Sequence, residues 1–118
     1  MRLAQTLKQY FTYDRLILII GMSVDKDVAG IVGTLAPICD EAIVTRSRHP
    51  RSADTSTLAG EFTAHGVSAR QCASTAGAVR AALDIAQKDD LVCATGSLFI
   101  VAETIEQVQG LSGEVYSL

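Results

Sequence analysis

Arg15-Leu-Ile-Leu-Ile-Ile-Gly21 decides the fold. An unbroken run of branched apolar residues closed by glycine has no polar face, so it reads as a strand buried on both sides. Strands of that kind belong to parallel sheets covered by helices above and below. The texture returns at Glu41-Ala-Ile-Val-Thr45 and Asp90-Leu-Val-Cys-Ala-Thr95, and more weakly at residues 67–72, after the turn signal His65-Gly66. Between these runs the apolar period becomes helical. Val28, Ile31, Val32 and Leu35 share one helix face, and so do Ala76, Val79 and Leu83, with Arg80 as the charged member. Leu58 and Phe62 mark another helix, Leu98, Val101, Ile105 and Val108 one more, and Leu3, Leu7, Tyr10 and Phe11 a helix at the start.

Helix starts are signposted by N-caps: Ser23 or Asp25, then Asp54, then Ser74 or Thr75. Pro37 ends or bends the helix that precedes it. Strands alternating with helices predict βαβ units with right-handed crossovers. The expected architecture is a three-layer, Rossmann-like α/β fold with a mostly parallel sheet, in a single domain spanning residues 1–118.

Composition agrees. At 118 residues, with 48% hydrophobic and 19% charged, the chain has length and material for one packed core. The longest apolar run, residues 16–20, is far short of the ~18–20 residues a membrane span needs. No basic leader and small-residue cleavage site frame an apolar stretch, so no secretory signal is read. A formal charge of -3 and a pI near 5.2 leave no basic face for nucleic acid. Aromatics at 5%, with no tryptophan, offer little for base stacking. Cys39, Cys72 and Cys93 are odd in number and widely spaced, which suggests neither a disulfide framework nor a thiolate zinc site. Cys93 reads as a small buried hydrophobe. A reducing, cytoplasmic setting is expected.

In open parallel sheets, ligands bind beyond the carboxyl ends of the strands. Three polar segments leave strands at that edge. The first, Gly21-Met-Ser-Val-Asp25-Lys26-Asp27, is not a phosphate loop, because Asp25 stands where a P-loop needs glycine before its lysine. A capped helix start with a surface acid–base–acid cluster also accounts for it. The second, Thr45-Arg46-Ser47-Arg48-His49-Pro50-Arg51, gathers guanidiniums and an imidazole in an otherwise acidic chain. Guanidinium forks suit carboxylate and phosphate oxygens, so this is a candidate anion-binding loop, with a solvated charge run as the competing reading. His49 has no spaced partner for a metal or a nucleophile, and His65 reads as a helix C-terminal cap. The third, Thr95-Gly96-Ser97-Leu98, sets Ser97 at a helix start, as an N-cap or beside a bound anion. No serine nucleophile is read, because no histidine is spaced to activate Ser97. Neither a catalytic residue nor a metal ligand is assigned.

In order and spacing, these segments resemble the C-terminal domain of folylpolyglutamate synthase/dihydrofolate synthase, a branch of the Mur ligase superfamily. The resemblance runs through residues 16–21, Asp25-Lys26-Asp27, Leu35-Ala36-Pro37, the basic loop at residues 45–51, Asp90-Leu91-Val92 and residues 95–103, essentially the whole chain. It implies a domain of an enzyme that joins a folate carboxylate to the amine of glutamate, using ATP and an acyl-phosphate intermediate. By resemblance this domain closes over the nucleotide. Ser97 matches a Thr-Gly-Ser position near the glutamate pocket, and Arg46 faces carboxylates or phosphates. Lys26, Arg48, His49 and Arg51 are the further nucleotide- or anion-binding candidates.

The resemblance also has gaps. The family's phosphate loop and magnesium ligands belong to a large N-terminal ATPase domain, the implied partner alongside ATP and glutamate. An Asp-Gly-Ala-His-Asn strand normally opens the C-terminal domain, and this sequence begins just after its place. The expectations are therefore that ATP and Mg are bound mainly outside this chain, and that the isolated chain holds no cofactor and has no ligase activity. An uncovered strand position would favour a homodimer, strand exchange or pairing by the tail Gly113-Glu-Val-Tyr-Ser-Leu118. The alternative is a freestanding, non-catalytic interaction or regulatory module. A phosphate-accepting receiver domain lacks the acidic pair expected after its first strand.

Overall fold

The structure, a computed structural model, describes residues 13–23, 26–46, 52–95 and, as backbone, 115–117. In chain order the elements are β1 (Leu16–Ile20), α1 (Val28–Leu35), a 3-10 turn (Ala36–Ile38), β2 (Glu41–Val44), α2 (Thr55–Ala64), β3 (Ala69–Gln71), α3 (Thr75–Ile85), β4 (Leu91–Thr95) and β5 (Val115–Ser117). The sheet order is β3-β2-β1-β4-β5, and every pairing is parallel. The expected helices at the start of the chain and at Leu98–Val108 lie outside the described residues. The tail enters the sheet as β5, beside β4.

The branched run that opened the reading is the central strand, and all five residues of β1 are fully buried. Side chains alternate across a strand, so β1 feeds two cores. Leu16, Leu18 and Ile20 pack with Val32 and Leu35 of α1 and Leu58 and Phe62 of α2. Ile17 and Ile19 pack with Ile43, Val92 and Ala94 and with Ala78, Val79 and Ala82 of α3. Helices cover both faces, which makes the fold three-layered and Rossmann-like. The chain runs outward from β1 to β2 and β3, then crosses under α3 to β4 on the other side of β1. The winding reverses between β1 and β4, and the crevice beyond their carboxyl ends is the topological switch point.

Local chemistry sets the helix ends. The α1 cap is Asp27, whose carboxylate accepts the Gly30 N–H at 3.1 Å, and not Ser23 or Asp25 as the sequence suggested. Ser23 is occupied elsewhere, in an antiparallel bridge with Ser52, and its carbonyl accepts the Lys26 N–H at 3.2 Å. The helix therefore begins after this turn. Asp54 stands at the N-cap of α2, but its carboxylate accepts the Ser56 hydroxyl at 2.6 Å instead of a backbone N–H. At the other end of α2, His65 is the C-cap and Gly66 follows at φ 77, left-handed space that favours glycine. Gly66 N–H donates to the Thr63 carbonyl at 2.9 Å and Val67 N–H to the Phe62 carbonyl at 3.0 Å, closing a Schellman motif. Ser74 caps α3 by accepting the Gly77 N–H at 3.1 Å. Replacing Ser74 with alanine is expected to cost about 1 kcal/mol, read as a lower denaturant midpoint at unchanged slope.

The amino ends of the two inner strands are locked by one ion pair. Arg15 precedes β1 and Asp90 precedes β4, and Arg15 Nε and Nη2 donate to Asp90 Oδ2 at 3.1 and 2.7 Å. The same carboxylate oxygen accepts the Gln87 N–H at 2.9 Å, while Arg15 Nη2 also reaches the Ile85 carbonyl at 3.0 Å. Among the described residues, no helix is long and apolar enough to cross a membrane.

Candidate functional site

The carboxyl ends of the inner strands are level. Val44 of β2, Ile20 of β1 and Thr95 of β4 stand in register. One residue further, Thr45 N–H donates to the Ile20 carbonyl at 2.9 Å and Gly21 N–H to the Thr95 carbonyl at 3.4 Å. The edge strand ends at the same height, with Cys72 N–H on the Val44 carbonyl at 2.9 Å. The junctions after β1, β2 and β4 therefore leave from one rim. The first two are tied together by the Ser23–Ser52 bridge and by Ala53 N–H on the Met22 carbonyl at 2.7 Å. Thr55 Oγ1, on the first turn of α2, donates to Gln71 Oε1 at 3.0 Å and ties in the end of β3.

Two of the cations singled out in the sequence lie on this rim. Lys26 is exposed just before α1, and Arg46 is exposed two residues beyond β2. The charge of Arg46 reaches the start of α2: the Asp54 carboxyl is held below the usual carboxylate range first by the Ser56 hydroxyl and, among smaller causes, by the charge of Arg46. Ser97, Arg48, His49 and Arg51 lie outside the described residues. What the described rim offers is exposed cationic groups beyond strand ends, at the switch point of a parallel sheet. That arrangement suits carboxylate or phosphate oxygens.

Thr45 ends a strand run and opens the basic segment in the sequence, with no role of its own read there, yet it is fully buried and its hydroxyl has no hydrogen-bond partner. The signal was present: a hydroxyl ending an otherwise apolar strand. The two buried cysteines, Cys39 and Cys93, are poor nucleophiles. Burial pushes the Cys39 thiol up to about 12, ahead of the nearby charges of Asp40 and Glu41. Burial alone pushes Cys93 up to about 11. Both stay protonated at neutral pH. Among the described residues, no group of three histidine, cysteine or acidic side chains is placed to hold a metal. A cavity of about 490 Å³ lies at the opposite, amino-terminal rim, against Arg15, Glu41, Ile43, Arg70 and Ile85, away from these junctions.

The profile of the family described as Mur ligase, glutamate ligase domain matches residues 1–98. The dihydrofolate synthase/folylpolyglutamate synthase of Mycobacterium tuberculosis is 40% identical over 57 residues, 48% of this chain and 12% of that protein. Escherichia coli FolC in complex with DHPP and ADP superposes with a TM-score of 0.83 at 28% identity, over 92% of this chain and 25% of that one. The Yersinia pestis bifunctional folylpolyglutamate synthase/dihydrofolate synthase with Mn, AMPPNP and L-glutamate bound gives a TM-score of 0.78 at 31% identity, over 92% and 25%. The chain thus spans about a quarter of the solved relatives' length and about an eighth of the curated one's.

Proposed function

The chain belongs to the Mur ligase, glutamate ligase domain family, and from that premise we propose that it is the C-terminal domain of an ATP-dependent folate–glutamate ligase. Its part in the reaction is to close over the nucleotide and help hold the incoming glutamate. The observation that carries this reading is the level rim: β1, β2 and β4 end at one edge at the switch point, with Lys26 and Arg46 exposed on it. The solved relatives support it, since their complexes contain ADP, AMPPNP, Mn and L-glutamate.

Amide formation needs a carboxylate made reactive and an amine held beside it. Phosphoryl transfer supplies the first, and closure of one domain on another supplies the second. In this scheme the guanidinium of Arg46, with Arg48, His49 and Arg51 close after it in sequence, offsets the charge of a substrate carboxylate or nucleotide phosphate. Ser97 contributes a hydroxyl at the glutamate side, and Lys26 a point charge at the neighbouring junction. The described residues present no metal-binding set, so no step at a metal is assigned to them. The partner is an ATPase domain that holds the triphosphate and metal and activates the acid.

Arg46→Ala, tested in a ligase carrying this domain, should raise the KM for glutamate or for ATP by about tenfold or more, the scale of a charge-assisted hydrogen bond. Arg46→Lys should recover part of the loss. An Arg46→Ala enzyme with both KM values unchanged removes the assignment. The 118-residue chain alone is expected to add no glutamate in the presence of ATP, because it supplies one wall of the site. Turnover by the purified chain refutes that division of labour.

A further inference from the structure

We propose that Thr45 and the first turn of α3 form a seat for one anionic oxygen, on the face of the sheet that α3 covers. The proposal goes beyond the reading above and does not depend on Arg46. The starting point is an anomaly: Thr45 Oγ1 is the one buried side-chain polar atom among the described residues without a hydrogen-bond partner. The residue is 0% exposed. An orphaned hydroxyl is an unfavourable group to bury, and it regains free energy on meeting an acceptor.

Register says where this hydroxyl sits. Along β2, Ala42 and Val44 face the core built with α1 and α2, and Ile43 faces the core built with α3. Thr45 continues the ladder through its N–H to Ile20, so the alternation puts its side chain on the α3 face. The first turn of α3 stands at the same end of the sheet. Cys72, directly after β3, bonds to the Val44 carbonyl, and the helix begins at Thr75. The helix is 11 residues long, and no acidic side chain in its first turn offsets the positive end of its dipole. Ala73 and Ser74 are exposed, so this end of the helix opens to solvent. A rotatable hydroxyl donor on the face that α3 covers, with a helix N-terminus at the same end of the sheet, suits a single oxygen of a carboxylate or a phosphate.

The test uses the 118-residue chain, with inorganic phosphate and acetate as separate probes against chloride at equal ionic strength. Amide shifts of Thr45, Ala76 and Gly77 are followed by NMR. In the wild-type chain one probe should shift all three amides saturably. Phosphate acting alone assigns the seat to a phosphoryl group, and acetate acting alone assigns it to a carboxylate. Thr45→Val should weaken binding about fivefold or more, the scale of one hydrogen bond. It should melt no lower than wild type, because valine has the same shape and leaves no orphan. Thr45→Ser should keep the binding. Equal binding by wild type and Thr45→Val overturns the proposal, as does a lower melting temperature, which would give the hydroxyl a structural partner. If Arg46→Ala abolishes the shifts and Thr45→Val does not, the seat is lost while the rim reading stands. If neither anion shifts Thr45, Ala76 and Gly77, the seat fails, and the rim reading is decided separately by the Arg46 variants of the ligase.

Discussion

Phe62→Ala is expected to destabilise the domain by about 3–5 kcal/mol, the range for emptying a phenylalanine site in a packed core. Phe62 is fully buried between α2 and the sheet and belongs to the cluster that includes Leu18, Val44, Leu58 and Val67. Its carbonyl also accepts the His65 and Val67 N–H groups, both at 3.0 Å, so the side chain anchors the residue around which the helix end turns. Chemical denaturation followed by circular dichroism would measure the loss. A change below about 1 kcal/mol would mean that α2 does not pack on the sheet as described.

Removing the Asp90 carboxylate should have the next largest effect. Its side chain is 3% exposed, and one oxygen accepts from Arg15 Nε, Arg15 Nη2 and Gln87 N–H. Asp90→Ala strands those donors at the amino ends of β1 and β4. The expected cost is about 2–3 kcal/mol, set by hydrogen bonds to a charged group. The pH dependence has a definite sign. The hydrogen bonds from Arg15, then that from Gln87, hold the Asp90 carboxyl below its usual range. A carboxylate depressed in the folded state stabilises fully above its unfolded pKa, and loses that contribution as pH falls through the folded value. Stability should therefore be flat in this respect near neutrality and decline in acid. Asp90→Asn should show less of that decline, and an unchanged acid limb would assign it to other carboxylates.

The inner strands were legible because a double-sided buried strand has almost no freedom in composition. The apolar runs locate β1, β2 and β4 to within a residue, and the switch to helical period locates α1 and α3. The α3 cap, narrowed to Ser74 or Thr75, and the His65-Gly66 pair were legible because caps and left-handed turns are local chemistry. The α1 cap was not, since Ser23, Asp25 and Asp27 are all competent. Ser23 is taken up by the distant bridge to Ser52, and Asp27 caps the helix. The Arg15–Asp90 pair joins residues 75 apart, which no periodicity reports. Its hint was positional, one charged residue immediately before each of two neighbouring strands. Lys26 and Arg46 could be assigned to a rim from sequence because each follows a strand. That Thr45 faces α3 while the charge of Arg46 acts on Asp54 needed the register and the packing.

The central claim is that substrate and nucleotide meet this domain at the carboxyl rim. A crystal structure of a ligase carrying it, with an ATP analogue and glutamate bound, tests that most directly. Contacts to this domain from the junctions after β1, β2 and β4, with Arg46 on a carboxylate or phosphate oxygen, are the predicted result. Ligands that leave those junctions untouched, or that contact the domain instead at Arg15, Glu41 and Arg70, would contradict it.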